Sequence, residues 1–117
     1  MPCAASVRLH VAEAAVASIA AAAARRVPGV VALRAGLTRT LFGLARSVLG
    51  RARPASDGVD AVVSGDEAEV AVTVVTRLGH NCRDLATAVQ QAVTLAVTRQ
   101  TGLAAHVEVT IAEVLLD

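Results

Sequence analysis

Aromatic side chains are almost missing from this chain, which has one Phe, no Trp and no Tyr among 117 residues. A core built without them is aliphatic and thin. A deep, aromatic-lined substrate pocket is disfavoured, and so are the stacking platforms that hold single-stranded nucleic acid. Lysine is absent altogether, all 11 basic residues being Arg, so Schiff-base chemistry, lysine nucleophiles and a phosphate-loop lysine drop out. The two cysteines, Cys3 and Cys82, are too few for a disulfide framework and lack C-x-x-C spacing, which reads as a reducing compartment. No charge-free, strongly apolar run reaches the ~18 residues that a membrane-spanning helix requires. The N-terminal apolar run is interrupted by Glu13 and reads as mature structure rather than a secretory signal.

What is present is small and aliphatic: 26 Ala, 20 Val and 12 Leu, with 55% of residues hydrophobic. Residues 1–117 read as a single domain. The net charge of +1 argues against a generic nucleic-acid binder. It is nevertheless the sum of two opposed halves. Residues 1–56 hold eight Arg and one acid, for +7, and residues 57–117 hold three Arg and nine acids, for −6.

Along the chain, Ser6–Val11 alternates Val7, Leu9 and Val11 with Arg8 and His10, the period of a half-buried strand. Glu13–Val27 carries Val16, Ile19, Ala20 and Ala23 at helical spacing, with Arg25 and Arg26 near the negative pole of the helix dipole. Pro28-Gly29 ends this helix, and Val30–Leu33 reads as a short buried strand or a turn into one. Val59–Val63, a turn at Ser64-Gly65-Asp66 and Glu69–Arg77 form a hairpin pattern. Asn81, with Asp84 three positions on, predicts a capped helix from Cys82 to about Thr101, stopped by Gly102. Its buried stripe is expected to be Leu85, Val89, Ala92, Val93 and Ala96. His106–Ala112 alternates once more and predicts a last strand. The fold class is therefore α+β: a small mixed β-sheet with two main amphipathic helices packed on one face, ordered β-α-β-variable helix or loop-β-β-α-β.

The variable insert, at about 36–56, holds a near-repeat of seven: Leu37–Gly43 is matched in character by Leu44–Gly50. On a helix, Leu37, Leu41, Leu44 and Val48 share one stripe, Phe42 and Leu49 lie beside it, and Arg39, Arg46 and Arg53 line its edge. An apolar arc edged by Arg and free of acids is the pattern of a helix that meets an anionic membrane surface or a partner helix. Two other readings stand beside it: the stripe covers the domain's own sheet, or Gly43 and Gly50 leave the run as a loop, each glycine costing about 1 kcal/mol relative to Ala in a helix.

Residues able to carry chemistry are few. His80 and Cys82 are two apart, and His10, His106 and Cys3 are the remaining candidates for a metal site. Zinc needs three or four converging ligands, so the favoured reading is a loop histidine next to a small cysteine that faces the core from the first turn of its helix. There is no G-x-S-x-G, Walker loop, G-x-G-x-x-G or H-E-x-x-H. The glycines never fall as G-x-x-G, the loop that clamps backbone in KH-type modules. No catalytic constellation emerges, and no cofactor, metal or small-molecule substrate is expected.

Three stretches together resemble the alkaline shock protein family, the envelope stress-response family of Gram-positive bacteria. They are Val11–Val30 with its Arg26-Val27-Pro28-Gly29-Val30 turn; Gly58-Val59 followed by Glu69–Gly79 and the helix from Asn81; and Thr101-Gly102-Leu103 leading to Val107, Val109 and Ile111. The resemblance covers nearly the whole chain and rests on order and spacing. The sequence departs from the family pattern at Ala12, where a capping Ser is usual, at Leu78, where an aromatic is common, and at Glu108, where Asn is frequent. The resemblance implies a cytoplasmic, non-enzymatic protein at the inner face of the cell envelope, peripheral to the membrane, working through membrane-anchored protein partners and self-association into an oligomer. The residues expected to touch a partner or an anionic membrane surface are those of the insert: Leu37, Arg39, Leu41, Phe42, Leu44, Arg46, Val48, Leu49 and Arg53. The alternative is a nucleic-acid-associated module using the basic N-terminal half, which the missing aromatics and the missing G-x-x-G loop disfavour.

Overall fold

A computed structural model describes residues 10–34 and 58–116. These residues form helix α1 (Glu13–Arg25), strands β1 (Ala32–Leu33), β2 (Val59–Ser64) and β3 (Glu67–Arg77), helix α2 (Cys82–Thr101) and strand β4 (Ala104–Leu115). The expected first strand, Ser6–Val11, falls mostly outside the described residues, and His10 and Val11 are not in a strand.

β3 is the central strand. β4 runs parallel to it along one edge, from Glu67↔Ala104 to Arg77↔Leu115, with an irregularity between Val74 and Val75. A parallel neighbour needs a long crossover, and α2 supplies it. On the other edge β2 pairs antiparallel, from Val59↔Val72 to Ser64↔Glu67. β1 lies in line beyond β2 on that same edge, with Ala32↔Val75 and Leu33↔Val74. The sheet is mixed, as the order of strands and helices in the sequence predicts.

Both helices cover one face, α1 over β1 and β2, α2 over β4. The residues that seal the layers are small. α1 presents Val16, Ala17, Ala20, Ala21 and Ala24, and α2 presents Leu85, Val89, Val93, Val97 and Thr101. They meet Val59, Ala61, Ala68, Val70, Val72 and Val74 of the sheet. Val16, Ala20, Val72, Val89 and Val93 are fully buried, and each such valine contributes on the order of 1.5–3 kcal/mol of transfer free energy. The stripe of α2 runs through Val97 where the sequence reading places Ala96. A strict i+4 row advances about 40° per step around the helix, so the buried line winds to follow the twist of the sheet.

Cys82 is exposed, which corrects the expectation that it faces the core. Four positions back from Leu85 is Asn81, so Cys82 stands about 100° off the buried line. The α2 ends are otherwise as read. The Asn81 side chain accepts the Asp84 N–H at 3.0 Å, and Gly102, with φ 80°, donates its N–H to Thr98 O. Asn81→Ala is expected to lower unfolding free energy by about 1 kcal/mol, read as a shift of the urea midpoint at unchanged slope.

α1 lacks a side-chain cap at Ala12. Its first turn instead carries Glu13, whose Oε2 accepts the N–H of Val63 at 3.1 Å. Gly58, one residue before β2, directs its carbonyl to β3 by accepting Thr73 N–H. Backbone groups alternate along a strand, so those of Val59 and Val63 point away from β3, and Glu13 takes one of them. Between α1 and β1, Val30 N–H returns to Val27 O at 3.1 Å, closing a turn with Pro28 second and Gly29, at φ 102°, third. That order is the type II pattern. Thr76 Oγ1 donates to Gly29 O at 2.7 Å, tying the turn to β3.

Candidate interaction surface

The insert leaves and rejoins the sheet at one rung of the ladder. Thr73 of β3 accepts Arg34 N–H at 2.9 Å and donates its own N–H to Gly58 O at 3.0 Å. Arg34 and Gly58 are therefore backbone neighbours, although residues 35–57 separate them in sequence. Gly58 has φ 86°, and a Cβ placed on it would lie 2.7 Å from both N and O of Arg34. Only glycine fits this junction. The nine residues expected to make contact, Leu37 to Arg53, lie outside the described residues, and so does the rest of the insert.

The face of the sheet opposite the helices holds most of the acids of the strands. Register places Asp60 beside Ala71 on β2 and β3. Glu67, Glu69 and Ala71 pair with Ala104, His106 and Glu108, and Val75 with Glu113. Asp60, Glu67, Glu69, Glu108 and Glu113 thus share one face. Arg34 forms an ion pair with Glu113 across the full width of β3, from the root of the insert to the far strand. His106 Nε2 lies 3.7 Å from Glu67 Oε1. At the centre of this face Thr73 is 1% exposed and Val75 5%, although neither belongs to the core cluster beneath the helices. A shallow depression between β3 and β4 is lined by Glu69, Val70, Ala71, His106, Val107 and Glu108.

Among the described residues β4, twelve residues long, is an edge strand. Ala104 N–H donates to Asp66 O on the β3 side, so by alternation Ala105, Val107, Val109 and Ile111 direct their backbone groups outward. Their side chains are half-buried, whereas Ala68, Val70, Val72 and Val74 beside them on β3 are at most 2% exposed. Leu78 and Leu116 are exposed at the end of the same strand pair, and Leu78 N–H donates to Leu115 O.

The other candidate residues are not brought together. His80 lies against Gly29, His106 sits on the opposite face of the sheet, and His10 is exposed. Among the described residues no three His, Cys, Asp or Glu side chains cluster as metal ligands, and no helix is long and apolar enough to cross a membrane. The sequence reading missed the Arg34–Glu113 pair and the Arg34–Gly58 junction. No periodicity links residues so far apart; the one available signal is the glycine that precedes β2.

No curated protein matches the chain in sequence. Among solved structures, a triply substituted MamM CTD is similar at 18% identity and a TM-score of 0.49, covering 85% of this chain and 92% of that one. A zinc form of a singly substituted MamM CTD is similar at 17% identity and a TM-score of 0.49, covering 85% and 82%. The family model for alkaline shock protein 23, described as having a cell envelope-related function, matches residues 4–116. That span takes in the Pro28-Gly29 turn, the junction glycine, the capped helix and the final strand, and the chain belongs to this envelope-related family.

Proposed function

We propose that this protein is a non-enzymatic adaptor of the envelope stress response, held at the cytoplasmic face of the membrane by residues 37–53 and acting through protein partners and self-association. One observation carries the reading. The basic, apolar-arced insert springs from a single rung of the sheet, between Arg34 and Gly58, so a recognition segment is appended without interrupting the core. Insert residues 35–57 hold four Arg and one acid, a charge suited to an anionic lipid surface or an acidic partner. The acidic outer face of the sheet opposes the nucleic-acid alternative, since phosphates meeting that face would lie against Asp60, Glu69 and Glu108.

The test is flotation of the purified protein with anionic liposomes, beside fractionation of cells, comparing wild type with the Arg39/Arg46/Arg53→Glu variant. Each basic residue near an anionic surface is worth about 1 kcal/mol, so losing three lowers membrane partition on the order of 100-fold. A wild type that floats, with a variant that does not, supports direct lipid contact. Failure of both to float, with wild type alone in the membrane fraction of cells, assigns the same residues to a protein anchor. Unchanged membrane association of the variant in cells overturns the role of the insert.

A further inference from the structure

We infer that the outer edge of β4 binds the same edge of a second copy, antiparallel and centred on Val107, so that two sheets join into one. This interface supplies a surface for the self-association proposed above and rests on that reading. Among the described residues β4 has no strand on its outer side, and Ala105, Val107, Val109 and Ile111 turn their backbone groups there. Edge strands that stay single are blunted by charged side chains, Pro or bulges. Residues 104–111 hold no Lys, Arg or Pro, and the irregularity in the pairing with β3 comes only after Ile111. On the helix side, Ala105, Val107, Val109 and Ile111 pack against the core yet stay half-buried. A neighbouring strand would complete their burial.

Charge selects a second copy as the occupant and fixes the register. His106 and Glu108, the side chains able to blunt this edge, are exposed on the outer face and complement each other. In an antiparallel pair the residues with outward backbone groups must face one another. With Val107 opposite its own copy, His106 faces Glu108 of the second copy on both sides of the two-fold axis, and Ala105 faces Val109. Centring the pair on residue 108 sets Glu108 against Glu108, and like charges directly opposite are destabilising. Centring on residue 106 sets His106 against itself, and centring on Val109 sets Glu108 opposite Thr110, so of these registers only the first pairs the charges. His106, 3.7 Å from its own Glu67, then stands between two carboxylates. The insert roots at Arg34 and Gly58 lie on the opposite edge of β3. The dimer therefore carries two basic segments on its outer edges, and these bind an anionic surface with avidity.

The test uses the full chain with Cys3→Ser and Cys82→Ser, in which His106→Cys and Glu108→Cys are made as separate variants. Residues facing each other at a non-hydrogen-bonded position have Cα atoms about 4.5 Å apart, inside the separation of about 4.4–6.8 Å that a disulfide spans. Mixed and mildly oxidised, the two variants should form a disulfide dimer of one chain of each, and neither should crosslink alone. Crosslinking of Glu108→Cys or of His106→Cys by itself assigns another register and overturns the proposal, as does a mixture that stays uncrosslinked. Val107→Pro gives a second reading. The Val107 N–H points away from β3, so Pro there removes no bond of the monomer's own ladder, and circular dichroism should keep the wild-type spectrum. Dimer affinity in sedimentation velocity should fall at least about tenfold, since the two central hydrogen bonds are lost. A folded Val107→Pro variant that dimerises as tightly as wild type assigns self-association to another surface and overturns this edge alone. A wild type that stays monomeric at every concentration overturns self-association with it.

Discussion

Gly58→Val is expected to unfold the domain or to cost on the order of 3 kcal/mol or more. Two effects add at this position. A branched side chain at φ 86° is strained in itself, and its Cβ would fall 2.7 Å from the backbone N and O of Arg34. The contact is backbone rather than the tip of a flexible side chain, so relief requires Arg34 to leave Thr73 and open the junction. Gly65→Ala is the control. Gly65 has φ 61° with nothing within 4 Å of the added carbon, so its cost is that of the conformation alone, about 1–2 kcal/mol. Urea unfolding of the two variants should differ by more than about 1 kcal/mol. Equal losses would show that the junction is not closed as described. A domain of this size is stable by about 5–15 kcal/mol in total, so Gly58→Val should also lower the soluble yield.

Ala20→Leu should cost about 3 kcal/mol, the upper end for overpacking. α1 meets α2 and the sheet through Ala17, Ala20, Ala21 and Ala24, and Ala20 and Ala24 are 0% exposed. The scarcity of aromatics in the sequence and the alanine contacts of α1 have one cause. Valine and alanine layers fill the space between helix and sheet only when the axes come near. Three extra carbons at position 20 have no void to enter, and α1 must rise from β2, where Glu13 holds its first turn to Val63. Ala22→Leu, on the exposed side of the same helix, should be nearly neutral. If calorimetry gave the two variants the same melting temperature, α1 would not be seated through its alanines.

The capped helix was the most legible element, because its signals are local. Asn81, Asp84, the apolar spacing and Gly102 lie within one continuous stretch, and its bounds emerge as Cys82–Thr101. The hairpin was legible for the same reason. β4 was read only to Ala112. The irregularity between Val74 and Val75 in its pairing adds a residue, after which Val114 rather than Glu113 takes the inward place and the two-residue period breaks. β1 and β2 read as separate strands because their continuity along β3 rests on Arg34 and Gly58 meeting across the insert, a contact without any sequence period. The acidic face was visible only as a charge excess in the second half of the chain; strand register distributed it onto one side. Of the candidate contact residues, Leu37 to Arg53 were legible as a heptad pattern and lie outside the described residues.

The single-rung junction also bears on how such a domain changes over generations. When both ends of an excursion are pinned side by side, the sheet registers only that a loop closes there, and closing a flexible loop costs about 0.6 kcal/mol more for each doubling of its length. Relatives can therefore lengthen, shorten or rewrite the segment between positions 34 and 58 at little cost to folding, provided the glycine that lets the two backbones touch is kept. Selection on what the segment binds is in this way uncoupled from selection on the core, and the junction becomes a natural place to graft a foreign recognition sequence.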